Sequence, residues 1–215
     1  YFSEAGRLQE GLLKGSFPSN IREQFRTMLD YFGQTPIIVR SSSFLEDGFG
    51  NAFAGKYESV FCANRGMPEE RLAMFENAVR QVYASTMDIS ALEYRRQRGL
   101  EGKDEQMAVL VQRVSGSYYG NLYMPCAAGV GYSYSTYKLQ KDIRPDEGML
   151  RLVMGLGTKA VDRTENDYPR LVNLDRPTIT MARNTAEKHR FSQHKIDVLD
   201  LEKNTLAEKD LEQVL

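Results

Sequence analysis

The chain has 215 residues, 41% hydrophobic and 27% charged, a globular composition that excludes wholesale disorder and collagen-like or mucin-like classes. Its 28 basic and 29 acidic residues leave a net charge of -1, so no bulk basic field exists to drive sequence-independent binding of nucleic acid. Nothing near a run of roughly 18 apolar residues occurs, which excludes a helical membrane span, and two cysteines with two histidines support neither a disulfide framework nor a Cys/His zinc site.

The first twenty residues, YFSEAGRLQEGLLKGSFPSN, lack the charged-then-apolar layout of a signal peptide and begin without methionine. With two unpaired cysteines, this places the chain in a reducing, cytoplasmic setting. Residues 19–32 predict a helix: Ser19 can cap it, Ile21, Phe25, Met28, Leu29 and Phe32 form one stripe, and Gly33 can stop it. After Pro36, the β-branched run 37–39 predicts a strand buried on both faces. Arg40 and three serines follow, then a loop over 44–56 with Gly48, Gly50 and Gly55. A second strand is expected at 57–63. Pro68 opens a helix with a buried stripe of Leu72, Phe75, Ala78, Val79 and Val82, and a further helix spans 90–98 between Ser90 and Gly99.

The polar stretch 100–106 reads as a lobe boundary. Beyond it, strands are predicted at 107–111, 118–124, 129–135 and 150–154, with weaker ones at 171–174 and 196–201. The C-terminal LEKNTLAEKDLEQVL reads as an amphipathic helix cut off in mid-course, and the expectation from it is a piece of a longer polypeptide, the alternative being a complete chain with processed or frayed ends. The expected fold is therefore α+β in two lobes, a helix-rich one over 1–106 and a strand-rich one over 107–215.

Four places could hold chemistry. Arg40 follows a buried strand, cannot shed its proton, and has a fork that matches phosphate oxygens, with the hydroxyls of Ser41, Ser42 and Ser43 beside it. The alternative is a structural arginine paired with Glu46 or Asp47, and the two readings are compatible. The glycine-rich loop frees backbone N–H groups to approach an anion, with Lys56 adding charge, although Tyr57 takes the hydroxyl position a Walker motif needs. The run MAVLVQRV leads from core into Gln112 and Arg113, a place to hold a base. Gly155-Leu156-Gly157-Thr158-Lys159 reads as a tight turn after a strand, with Thr158 and Lys159 available to an anion. Arg95, Arg96 and Arg98 read as complementing a helix end, Cys62 and Cys126 as buried and inert, and neither His189 nor His194 as catalytic.

Taken together, VRSSSFLEDGFGNAFAGKYESV at 39–60 resembles the signature of the pyruvate phosphate dikinase and phosphoenolpyruvate synthase family. VLVQRV, RLVMGLGTKAVDRTENDYPRLVNLDRP and FSQHKIDVLDLEKN are similar to later family sequence, in the same order. The resemblance implies an ATP-grasp-like nucleotide-binding domain that takes ATP and Mg²⁺. The family passes phosphate from ATP to a histidine on a swivelling domain and then to an acceptor bound by another domain. By analogy Arg40 and Ser41 contact the ATP phosphates, and Ser59 stands where the family has threonine. Gly55 belongs to the phosphate-covering loop, and Gln112 and Val114 frame the adenine. Lys56, Glu46 and Asp47 are further candidates.

The departures are Ser43 for the family's alanine, Lys56 for glutamine and Ser59 for threonine. Four family features have no counterpart here: the early lysine (Lys14-Gly15 is too close to Arg40), the late acidic metal ligand, the Q-x-R strand and the phosphohistidine segment. No metal ligand or catalytic residue is assigned. The expectation is a domain of an ATP-dependent phosphotransferase that by itself binds ATP weakly or not at all. The alternative is a non-catalytic nucleotide-sensing or scaffolding module. Pyruvate, water, a glucan or another hydroxyl all remain open as acceptors.

Overall fold

In the computed structural model, which describes residues 4–46, 55–135, 143–161, 166–179 and 184–214, the chain divides into two compact units. The first comprises Tyr1–Val114 with Lys203–Thr205, and the second Ser115–Glu202 with Leu206–Leu215. Among the described residues no helix is long and apolar enough to cross a membrane.

The first unit contains α1 (Ala5–Leu13), α2 (Ser19–Phe32), β1 (Ile37–Ser43), β2 (Ser59–Cys62), α3 (Pro68–Ser85), α4 (Ile89–Gln97) and β3 (Met107–Arg113). Its sheet has the order β2-β1-β3, with both neighbours antiparallel to β1. Since β3 pairs with β1 along seven residues, from Ile37–Arg113 to Ser43–Met107, this unit continues past the polar stretch at 100–106 and runs to Val114. One face of the sheet is covered by helices. Ile37 and Val39 are fully buried there, against the α3 stripe Leu72, Phe75, Ala78, Val79 and Val82 and against Leu29 of α2. Phe25 of α2 meets Phe75 edge to face, with ring centroids 4.9 Å apart.

Arg71, in the first turn of α3 and 6% exposed, ties α2 to this layer. Its guanidinium donates to the carbonyls of Leu29 and Gly33, adding to the bonds these accept from Gly33 N–H and Asn64 Nδ2, and to Asn64 Oδ1. Gly33, with φ of 61°, is the left-handed stop expected of it.

The second unit contains β4 (Ser117–Tyr119), β5 (Leu122–Met124), β6 (Ala128–Tyr132), β7 (Met149–Val153), α5 (Thr158–Val161), β8 (Arg170–Asn173), α6 (Thr185–Arg190), β9 (Lys195–Asp200), β10 (Thr205–Asp210) and α7 (Leu211–Val214). They form two sheets, ordered β10-β9-β5-β4 and β6-β7-β8. The single strand expected at 118–124 is a hairpin turning at Gly120, whose φ is 59°.

The C-terminal helix is a correction. Asn204 takes a left-handed φ of 55°, and the next six residues are strand β10 beside β9, with only α7 helical. Lys195 Nζ lies 2.6 Å from Asp210, and Lys209 Nζ 3.5 Å from Asp200, so Lys209 and Asp210 make cross-strand pairs with β9. Ala207, Leu211 and Val214 pack on Met124, Ile196 and Val198, which gives the same apolar residues a core without a long helix. The cysteines also divide: burial pushes the Cys62 thiol up to about 12, whereas Cys126 is exposed.

Candidate functional site

Alternation along a strand sends neighbouring side chains to opposite faces, so register decides what meets what. On β1 the residues Ile37, Val39, Ser41 and Ser43 share the helix-covered face, and Ile38, Arg40 and Ser42 share the other. Arg40 is the fourth of seven strand residues, not the first residue past the strand. The RSSS run continues the ladder because each of its residues finds a partner on β3. Arg40 pairs with Ser59 on one side and Leu110 on the other, and Ile38 pairs with Gln112. Arg40, Ser59, Leu110 and Gln112 therefore stand on one face, and all four are exposed.

Arg40 Nη1 donates to Gln112 Oε1 at 3.3 Å. Among the described residues no carboxylate pairs with this guanidinium, so its charge is held in place by a neutral amide. That arrangement orients the fork and leaves it able to bind an anion.

The other expected residues lie elsewhere. Ser41 faces the opposite way and donates from Oγ to Glu46 Oε1 at 3.1 Å. Glu46 is no partner of Arg40 among the described residues. It closes the turn after β1: Ser43 N–H donates to Glu46 Oε2, and Glu46 N–H donates to Ser43 Oγ. Asp47, with Gly48 and Gly50, lies outside the described residues. Gly55 has a φ of 74° in open space, so the backbone angle alone demands glycine there. Lys56 places Nζ 5.0 Å from the centroid of the Tyr94 ring on α4. Val114 is buried, and its N–H extends the sheet ladder by donating to Pro36 O at 2.9 Å.

Two residues on or near this sheet went unnoticed in the sequence. Leu110, 45% exposed beside Arg40, is hidden inside what reads as a continuous apolar run. Glu105, in the polar stretch before β3, accepts a hydrogen bond from Tyr57 Oη at 2.5 Å.

In the second unit the turn at Gly155 is as expected, but Lys159 does not line an anion site. It is 5% exposed, with Nζ 2.6 Å from Glu208, 3.4 Å from Asp167 and 3.9 Å from Asp197. The Thr158 hydroxyl donates to Asp197 Oδ2 at 2.5 Å. Burial pulls the Lys159 pKa down, but the bond to Glu208 and the charges of Asp197 and Glu208 outweigh it and leave the ammonium above its ordinary range. Its charge is already compensated. Arg95 and Arg96 stand in the last turn of α4 as expected, and Arg95 is buried there, 5% exposed, donating to Lys103 O at 3.1 Å.

Among the described residues no group of three or more His, Cys, Asp or Glu side chains could hold a metal ion. A family model described as pyruvate phosphate dikinase, AMP/ATP-binding domain, matches residues 2–215.

Proposed function

Because the chain belongs to the pyruvate phosphate dikinase AMP/ATP-binding family, we propose that it is the ATP-binding domain of a dikinase-type phosphotransferase with an ATP-grasp architecture. In this reading phosphate moves from ATP toward a histidine on another domain of the same polypeptide, and a further domain binds the acceptor. The chain alone binds ATP weakly and transfers no phosphate. The two free thiols suit a reducing, cytoplasmic setting.

One observation supports this best: Arg40, Ser59 and Gln112 share an exposed sheet face in register, with no carboxylate on Arg40 among the described residues. Phosphoryl transfer asks a protein for alignment and charge neutralisation more than for covalent help. Arg40 meets the phosphate oxygens with its fork, and the Ser59 hydroxyl donates beside it. Leu110 offers apolar surface on the same face, and Gln112 braces Arg40 and marks the direction of the base. Ser41 and Glu46 act through the turn from which the glycine-rich segment leaves, and Lys56 stands where that segment returns.

The test is Arg40→Ala. Its side chain is exposed, so folding stability changes by no more than about 0.5 kcal/mol while ATP binding followed by NMR titration is lost. Equal ATP affinity in the variant and the wild-type chain would sink the reading.

A further inference from the structure

Resting on that nucleotide reading, we infer that the hydrogen bond from Tyr57 to Glu105 is a clamp, which makes both of them positioning residues for the triphosphate. Neither touches the exposed face itself. What they fix is the spacing of the two strands that bring Ser59 and Gln112 alongside Arg40.

The argument starts from topology. Strands β2 and β3 are both antiparallel to β1 and lie on opposite sides of it. They run in the same direction and share no ladder bond, so the backbone sets their separation only through β1. Both begin toward the carboxyl end of β1, where Ser59 pairs with Arg40 and Met107 with Ser43. Tyr57 stands two residues before Ser59, and Glu105 two residues before Met107. The Tyr57 Oη to Glu105 Oε2 bond, at 2.5 Å, therefore joins the entries of the two outer strands directly.

The surroundings suit a rigid clamp. Tyr57 is 6% exposed and packs with Leu45, Ala91 and Leu100, against Tyr94 and Met107. Leu45 precedes the glycine-rich segment and Tyr57 follows it, so both feet of that segment rest on one small core. Glu105 Oε1 is buried without a hydrogen-bond partner among the described residues, which leaves the carboxylate dependent on the phenol. Packing alone does not call for this pair. A phenylalanine would fill the same core without drawing a carboxylate out of water, which is costly. A charge-assisted bond is short and directional, as fixing a spacing requires.

The experiment titrates the 215-residue chain with ATP–Mg²⁺ and separately with adenosine, by NMR, in wild type, Tyr57→Phe, Glu105→Gln and Arg40→Ala. Thermal unfolding of each shows that it is folded at the titration temperature. Loss of the hydroxyl in Tyr57→Phe is expected to weaken ATP binding about fivefold or more, with adenosine affinity held within about twofold. Glu105→Gln keeps an oxygen that accepts from the phenol but loses the charge assistance, so its ATP affinity falls between those of the wild type and Tyr57→Phe. A Tyr57→Phe chain that binds ATP as the wild type does, or that loses ATP and adenosine equally, overturns the clamp alone. A Glu105→Gln chain as weak as Tyr57→Phe does the same. A wild-type chain that takes up no ATP at millimolar concentration, or that matches Arg40→Ala, overturns the nucleotide reading and the positioning role with it.

Discussion

Three arginines of the first unit show how much of an arginine's role is set by what surrounds it. Arg40 stands exposed on a sheet face with a neutral amide beside it. Arg95 is buried and gives one of its bonds to a backbone carbonyl. Arg71 is buried as well, and holds Leu29 O, Gly33 O and Asn64 Oδ1 at once. No sequence pattern separates the three, because each looks like a cation near apolar residues. Their different environments predict different costs. Arg71→Met takes a donor from all three, but Leu29 O keeps the Gly33 N–H and Gly33 O keeps Asn64 Nδ2, so only Asn64 Oδ1 is stranded and the loss of stability should be about 2 kcal/mol by urea unfolding, several times that of Arg40→Ala. A change below about 1 kcal/mol would mean that water reaches those acceptors and that the capping role is wrong.

At the scale of elements, long amphipathic segments were legible and short ones were not. The helix predicted at 19–32 is α2 residue for residue, since its stripe and its glycine stop agree. The strand from Ile37 was expected to end at Val39, yet it runs to Ser43. Hydroxyl residues carry no hydrophobic period, and only the partner strand reveals that they are in a ladder. The site was legible in part for the same reason: Arg40, Ser59 and Gln112 were nameable from their chemistry, but their common face is a matter of register. Gly155 and Gly157 make the point within one motif. Gly155 has φ of 81°, and a Cβ there would lie 2.5 Å from Ile196 Cγ1 and 2.6 Å from Asp197 O. At Gly157 a Cβ would only touch the Ala128 methyl, at 3.5 Å. Gly155→Ala should therefore destabilise the second unit by about 2 kcal/mol or more, while Gly157→Ala stays within about 0.5 kcal/mol. The NMR signals of the buried Ile196 and Val198 follow this unit in urea. Equal effects of the two alanines would show that the turn relaxes freely.

For the molecule as a whole, the groups held above their ordinary pKa predict an alkaline limit to stability that differs between the units. Burial raises the Cys62 thiol from 9.0 to about 12. Burial, and then the bond to Glu105, raise the Tyr57 phenol above its usual 10.0. Lys159 lies above 10.5 despite its burial, because Glu208 and Asp197 favour the ammonium. In each case the folded chain keeps a proton that the unfolded chain has released, so stability falls as pH rises through the window between the two values. Each such group costs about 1.4 kcal/mol per pH unit inside its window. The window opens at 9.0 for Cys62 and 10.0 for Tyr57 in the first unit, and at 10.0 for Tyr123 and 10.5 for Lys159 and Lys195 in the second, so the first unit, which holds the earliest of them, is the first to weaken. The long helices α2 and α3 belong to that unit, so ellipticity at the helix band follows it during urea unfolding. Between pH 9 and 10, under reducing conditions, the wild-type chain should lose about 1 kcal/mol more than Cys62→Ala, because the thiol is the group furthest into its window there. Above pH 10 both should fall, through Tyr57, and Tyr57→Phe in the Cys62→Ala background should remove that slope as well. Parallel slopes for wild type and Cys62→Ala between pH 9 and 10 would show that the thiol is reached by solvent, which contradicts its place beneath the helices of the first sheet.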